Sequence, residues 1–321
     1  MFMGLRVSGF VFAIIMMASF AHAQKERHFA FTYNVEITDL PESSKKVEVW
    51  LPVPPETPEQ KIKSVTFDSP VVGKTHTEPS YGNRIWHART TPPLNGTLSI
   101  TQRIDVVRKE QSVDRDRKLA GTNGSMNEFL KENRLVSLTP RFRQIALEET
   151  KDSEAVVDQA RALYDYVMDQ MAYDKSGKGW GRGDANYACD IRKGNCTDYH
   201  SLFIALERSL ETPARFWIGF PLPEERGKGT VNGYHCWAEF WVQDVGWMPV
   251  DISEADKHPE RAEYFFGNVD ENRIVFTVGR DLTLEPAQQG ESINFFVYPY
   301  VEVDGKPWVR VDTHFSYQDL D

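Results

Sequence analysis

The chain has 321 residues, 40% of them hydrophobic and 26% charged, with a formal net charge of −10. That is the composition of an ordinary globular protein, and its acidic balance excludes a surface built for nucleic acid or for anionic membrane. Three cysteines and eight histidines form no short-spaced ligand sets of the zinc type. No glycine-rich phosphate cradle stands at a strand–helix junction, so no metal and no cofactor is expected.

The first 23 residues read as a secretory signal. Arg6 provides a thin positive region, Val7 to Phe20 a short apolar run, and Ala21-His22-Ala23 a small-x-small cleavage site. The run is short for a membrane span, so no stable membrane insertion is expected after cleavage. Removing it takes away only Arg6 among charged residues and moves the net charge from −10 to −11. A periplasmic or secreted protein of two domains follows. Residues 24–110 read as a small β-sandwich: 28–37 alternate cleanly (Phe29, Phe31, Tyr33, Val35, Ile37), and 46–51, 61–67, 83–88 and 97–107 follow between Pro-, Gly- and Ser-rich turns. Residues 111–137 are polar, with Gly121-Thr122-Asn123-Gly124-Ser125 at their centre, and read as a linker.

Helical signals begin at Thr139-Pro140, a cap followed by proline at the first helical position. A second helix, capped by Ser153, carries Val156, Val157, Ala160, Leu163, Tyr164, Val167 and Met171 at helical spacing. Residues 173–192 read as a glycine-rich loop. A helix from Cys196 to about Leu210 shows Leu202, Phe203, Leu206 and Leu210 on one side and stops at Thr212-Pro213. Strands follow at 214–220, 235–243 and 247–252. The loop at 221–233 reads as a surface turn or as a lid over a cleft. Asp304-Gly305 marks the turn of a C-terminal hairpin within a second domain running over 138–321, where it either completes that domain's sheet or packs on the first domain.

The chemistry concentrates in three places. Gly194-Asn195-Cys196 puts a thiol at a helix start, where unpaired N–H groups and the helix dipole favour the thiolate. His235, in Tyr234-His235-Cys236-Trp237-Ala238-Glu239, offers a base. Asp251, after Gly246-Trp247, offers a carboxylate to orient it. A free cysteine with a pKa near ~8.5 is only a few per cent thiolate at pH 7, so nucleophilic work needs such an imidazole, held in one tautomer. His200, one helical turn after Cys196, is the rival base. It projects along the helix rather than across a cleft, which favours a supporting role. Alternation puts His235, Trp237, Glu239 and Trp241 on one strand face and turns Cys236 to the other, away from the chemistry. Asp198 and Glu239 read as a first-turn charge and a strand-surface charge. The odd cysteine count leaves two arrangements open: a Cys189–Cys236 disulfide with Cys196 free, or three reduced thiols.

These residues resemble the transglutaminase-like superfamily, in its bacterial exported branch of candidate cysteine proteases. Gly194-Asn195-Cys196-Thr197-Asp198, Thr212-Pro213-Ala214-Arg215 with Ile218-Gly219, Tyr234 to Glu239, and Gly246-Trp247 leading to Asp251 carry the resemblance in family order. It implies an α+β fold: a papain-like core whose cysteine-bearing helix packs on an antiparallel sheet, preceded here by the all-β domain. It also implies Cys196 as nucleophile, His235 as base and Asp251 as orienting acid. The backbone N–H of Cys196 and the indole N–H of Trp180 are the expected oxyanion donors. The expected activity is that of a cysteine protease, amidase or transglutaminase-type acyltransferase working through an acyl-thioester on a protein, a peptide or a cell-wall peptide. The competing reading is a non-catalytic periplasmic interaction module that kept the fold. A thioester-dependent acetyl transfer lacks any basic pocket for a nucleotide carrier. The oligomeric state is not legible.

Overall fold

The computed structural model describes residues 25–92, 95–113 and 126–320. The expected signal at 1–23 and the glycine-rich centre of the expected linker lie outside the described residues.

Ten of the principal strands make a two-sheet β-sandwich. From the amino-terminal third come β1 (Glu26–Ile37), β2 (Val47–Val53), β3 (Gln60–Asp68), β4 (Gly73–Thr77), β5 (Arg84–Thr90) and β6 (Leu98–Lys109). The catalytic-type core then runs α1 (Pro140–Glu149), α2 (Val156–Gln170), α3 (Ala185–Ile191), α4 (Cys196–Ser209), β7 (Ala214–Pro221), β8 (Lys228–Val231), β9 (His235–Val242), β10 (Gly246–Val250), α5 (Ile252–Lys257) and β11 (Arg273–Val278). The chain closes with β12 (Tyr300–Val303) and β13 (Val311–Asp319).

One sandwich sheet has the order β8-β13-β1-β6-β3; the other, completed by the short strand Lys306–Pro307, has β12-β2-β5-β4. The Phe67 and Trp86 rings stack between them at 4.8 Å. The chain end therefore does not form a hairpin belonging to the core, as expected for 138–321. Asp304-Gly305 turns β12 only into Lys306–Pro307, and β13 leaves for the opposite sheet, where it pairs with β1 from Phe29↔Asp319 to Ile37↔Val311. The long alternating edge of β1 provides a full-length antiparallel partner, whereas the four-residue β12 cannot. Lys228–Val231 pairs with the same strand, which ties the 221–233 loop into the sheet rather than leaving it as a lid.

The core sheet has the order β10-β9-β7-β11, antiparallel throughout. Helix α4 lies across one face, Phe203 against Phe240 at 6.1 Å. Every residue from Cys196 to Ser209 is buried, because α1, α2, α3 and α5 pack around the sides of the helix that the sheet leaves open. A helix read as one-sided is thus the centre of the domain. Its neighbour α1 begins as expected, Phe142 N–H donating to Thr139 Oγ1 at 3.4 Å. Helix α2 starts after Ala155 with no side-chain cap, not at Ser153. The glycine-rich loop contains an unanticipated helix, α3, whose cap Asp184 accepts from Asn186 and Tyr187 N–H.

The described parts of the 111–137 stretch pack tightly. Gln111–Ser112 pairs with Asn268–Val269, Gln111 donates to Glu239 at 2.7 Å, and Phe129 lies edge-on to Trp247 at 5.0 Å. Sandwich and core also share one hydrophobic interior, in which Phe31 and Tyr33 of β1 meet Phe220 and Phe276 of the core.

Candidate active site

The start of α4 is built by three consecutive local devices. Asn195 caps the helix, its Oδ1 accepting from Thr197 N–H at 3.0 Å. Asp198 folds back to accept from Asn195 N–H at 3.0 Å, completing a capping box. A side chain on Gly194 would place its Cβ 2.3 Å from Asp198 Oδ2, so only glycine leaves room for that return. The same buried carboxylate accepts from Gly181 N–H at 2.6 Å and Gly183 N–H at 3.0 Å. Asp198 is therefore an anchor pinning the 179–184 loop to the helix start, not a solvated first-turn charge. Arg280 clamps the loop from behind through Gly183 O and Ser201 Oγ. This fixes Cys196, 2% exposed, in the first turn of the helix.

His235 opens β9 and pairs with Gly219 of β7. At Gly219 the sheet has a bulge, and a Cβ there would stand 1.8 Å from Ile274 O. Glycine is what allows β7 and β11 to close beside the histidine. Asp251 ends β10 and caps α5, accepting from Glu254 N–H at 3.3 Å. His235 Nε2 donates to Asp251 Oδ2 at 2.7 Å. With Nε2 engaged, Nδ1 is the ring nitrogen left for the Cys196 thiol, whose presence helps to raise the His235 pKa. The three residues are brought together, each at the end or beginning of an element and all buried.

Burial alone would push the Cys196 thiol up. The hydrogen bonds from Cys236 and His235 and the charge of His235 outweigh it and hold the thiol well below its ordinary value. Burial lowers His235, but the Asp251 carboxylate beside it carries it up to about 10. Asp251 is pushed up by burial and pulled far below the usual carboxylate range by His235 and Arg273. These directions favour a thiolate–imidazolium pair with an ionised carboxylate behind it, the form a nucleophilic cysteine needs.

Two supports were absent from the expectation or only half drawn. Arg273, 3% exposed, donates from Nη1 to Asp251 Oδ2 at 3.0 Å and lies over the Trp237 ring at 4.8 Å. Its one sequence signal is a charge heading the otherwise apolar strand Arg273–Val278. His200 Nδ1 donates to Cys196 O at 2.8 Å, and its Nε2 accepts from Ile252 N–H at 3.1 Å. Those roles require the neutral ring, and burial lowers its pKa accordingly. His200 therefore ties the Cys196 carbonyl to the residue after Asp251.

Cys236 was expected to face away. Its thiol instead lies 3.9 Å from His200 Nδ1 and helps to lower the Cys196 pKa, because α4 packs on the Cys236, Ala238 and Phe240 face of β9. Cys189 sits on α3 beside Arg141, Asp190 and Arg192. All three cysteines are free thiols, so the Cys189–Cys236 bridge is not made: the two belong to different surroundings, one at the core's rim and one at its centre. Trp180 is half-buried in the loop before the helix, and the next residue, Gly181, packs on Asn195 and Tyr234. Glu239 is buried rather than on the surface, accepting from Gln111, Arg215 and Trp217. No cluster of metal-binding side chains occurs among the described residues, and no helix there is long and apolar enough to cross a membrane.

Residues 143–252 match the transglutaminase-like superfamily, a span that holds Cys196, His235 and Asp251. An uncharacterized protein of Haemophilus influenzae is 26% identical over 323 aligned residues, covering 87% of this chain and 86% of its own length. The uncharacterized protein YebA of Bacillus subtilis is 25% identical over 137 residues, 38% of this chain and 19% of YebA. A candidate cysteine protease from Cytophaga hutchinsonii shares the fold over 93% of both chains, with a TM-score of 0.60 at 17% identity. Residues 143–252 are thus a transglutaminase-like superfamily domain.

Proposed function

We propose that this protein is an exported thiol enzyme acting on amide or peptide bonds. Cys196 attacks the carbonyl carbon, and its own backbone N–H, with the Trp180 indole N–H as the second donor, receives the developing oxyanion. His235 passes its proton to the leaving amine, so the C–N bond breaks and an acyl-thioester remains. Water, activated by the now neutral His235, then attacks the thioester and returns the thiol. We favour hydrolysis over transfer to an amine, because water is the default acceptor and no amine site is legible. The substrate class is a protein, a peptide or a cell-wall peptide. Export rests on the signal-like residues 1–23, which places the protein in the periplasm or outside the cell.

The observation that carries this reading is the Asp251–His235 hydrogen bond of 2.7 Å behind a thiol held well below its ordinary pKa. The test is the alkylation rate of each cysteine against pH, followed by peptide mass mapping. Cys196 should react with a midpoint far below ~8.5, and His235→Ala should restore the free-thiol midpoint. A Cys196 that titrates like a free thiol in the wild-type chain would favour the interaction-module reading. Trp180→Phe tests the second oxyanion donor; unchanged turnover removes Trp180 from the mechanism.

A further inference from the structure

Residues 294–298, between β11 and β12, run alongside the start of α4. Asn294 Nδ2 donates to Arg182 O at 2.8 Å, in the loop that Asp198 pins to that start. Thr277 Oγ1 donates to Phe296 O at 2.6 Å, and the Tyr33 hydroxyl donates to Val297 O at 3.0 Å. These bonds fix the segment, and the side chains of Phe296 and Val297 are buried. Two others stay open to solvent: Phe295 is half-buried and Tyr298 is 36% exposed.

Both open rings meet Tyr234, the residue before His235. The Tyr234 ring, itself half-buried, lies 5.6 Å from that of Phe295 and 6.0 Å, edge-on, from that of Tyr298. Its hydroxyl accepts from Nδ2 of Asn195, the residue before Cys196, at 3.0 Å. Tyr234 thus links the neighbour of the thiol to the neighbour of the imidazole, and Phe295 and Tyr298 extend the aromatic surface outward from it. Burial raises the pKa of both phenols, and the charge of Cys196 adds to each rise, as expected of rings near the thiolate. Apolar surface on a fixed backbone, left uncovered beside a nucleophile, is ready to receive an apolar group of what the nucleophile attacks.

We propose that Phe295 and Tyr298 wall a subsite for a large apolar side chain of the acyl donor, carried by one of the two residues before the bond that Cys196 attacks. This subsite presupposes the thiol enzyme proposed for Cys196, and it defines the substrate class as peptides with an aromatic or large aliphatic residue beside the cleaved bond. The acyl portion stays bonded to Cys196 after the amine has left, so the side chain it carries is held through both attack and hydrolysis. Phe295 and Tyr298 select the substrate and take no part in making or breaking bonds.

The test uses three chloromethyl ketones, N-acetyl-Phe-Gly, N-acetyl-Gly-Phe and N-acetyl-Gly-Gly, whose chloride the Cys196 thiolate displaces to form a thioether. Modification of Cys196 in the full chain is followed by peptide mass mapping, and each rate is divided by the iodoacetamide rate of the same sample. Covering one large apolar side chain should make at least one Phe probe about tenfold faster than the Gly-Gly probe. A faster Gly-Phe probe assigns the subsite to the residue next to the bond, and a faster Phe-Gly probe assigns it to the residue before that. Tyr298→Ser should remove most of the preference, and Phe295→Ala should do the same and serves if Tyr298→Ser does not fold. Equal rates for all three probes on a wild-type chain whose Cys196 keeps a low iodoacetamide midpoint overturn the subsite alone. A preference that survives both substitutions also overturns it, and a free-thiol midpoint overturns the thiol enzyme and the subsite with it.

Discussion

His200 and His235 both lie beside Cys196, and one substitution separates their roles. In His200→Phe the ring volume is kept while two hydrogen bonds are lost: Nδ1–H to Cys196 O at 2.8 Å and Ile252 N–H to Nε2 at 3.1 Å. Cys196 O keeps the backbone N–H of the next helical turn and loses only a second bond, at about 1 kcal/mol, while Ile252 N–H is left without its acceptor, at about 1–3 kcal/mol. The variant should therefore lose about 3 kcal/mol, read as a fall of roughly 8 °C in Tm for a chain of this size. The neutral ring contributes no charge to the thiolate pair. Alkylation of Cys196 in His200→Phe, assayed by iodoacetamide below the new melting range, should keep a midpoint far below the free-thiol value. His200→Asn, whose amide N–H can occupy the Nδ1 position, should recover about a third of that loss. If His200→Phe moved the Cys196 midpoint up to that of a free thiol, as expected of His235→Ala, then His200 would be the base and the assignment of His235 would fail.

Further outcomes follow from groups around the site. Asp198→Ala leaves three N–H groups without their acceptor, those of Gly181, Gly183 and Asn195; limited proteolysis should cut within residues 176–184 while the rest of the chain resists. Glu207, buried in α4 with Oε1 unpartnered, is raised from 4.5 to about 8 by burial. The folded state thus holds a proton that the unfolded state releases, and stability falls by about 5 kcal/mol as pH rises from 4.5 to 8. Glu207→Gln should flatten that decline in denaturant melts at pH 5 and pH 8, and a wild-type chain equally stable at both would refute the neutral buried acid. Raising pH through about 10 should deprotonate His235 and remove the imidazolium, so turnover should rise with thiolate formation, hold a plateau and fall near pH 10. Gly219→Ala, with its Cβ 1.8 Å from Ile274 O, should yield little folded protein on expression.

The features readable from sequence are those written within one element. Alternation along β1, the Thr139-Pro140 start of α1, and a cysteine just after Gly194-Asn195 each need only a few neighbouring residues, and the structure has them where they were expected. The capping box at Asn195 and Asp198 was equally local, and its spacing could have been read. What local pattern does not encode is the acceptor of each face. Alternation correctly grouped Trp237, Glu239 and Trp241, but did not reveal that α4 would take the opposite face, and with it Cys236, or that Gln111, Arg215 and Trp217 would enclose Glu239. Arg273 reaches Asp251 across 22 positions, and β13 reaches β1 across nearly the whole chain, from Val311 to Ile37.

That last pairing changes what the sandwich does. A domain of residues 24–110 alone would leave one long edge of β1 unpaired, an invitation to association. Here β13 covers it and β8, from the loop between β7 and β9, extends the same sheet. Arg27 of β1 sits at the junction, bonded to Asp319 of β13 at 2.7 Å and to Pro223 O of the core loop at 2.6 Å. The strand that carries His235 begins four residues after β8 ends, so the sandwich fixes one end of the segment leading to His235. Arg27→Met removes a buried guanidinium from a partly exposed carboxylate, at about 2 kcal/mol, with no contact to Cys196, His235 or Asp251. If the sandwich merely adjoins the core, the loss should appear in unfolding of the sandwich alone, as a second and earlier transition in calorimetry. If the shared sheet and the common Phe31–Phe220–Phe276 interior make one cooperative unit, a single transition should shift down and Cys196 should lose its low alkylation midpoint only as that transition is crossed. The interleaved strands favour the second outcome, and two separated transitions would refute it.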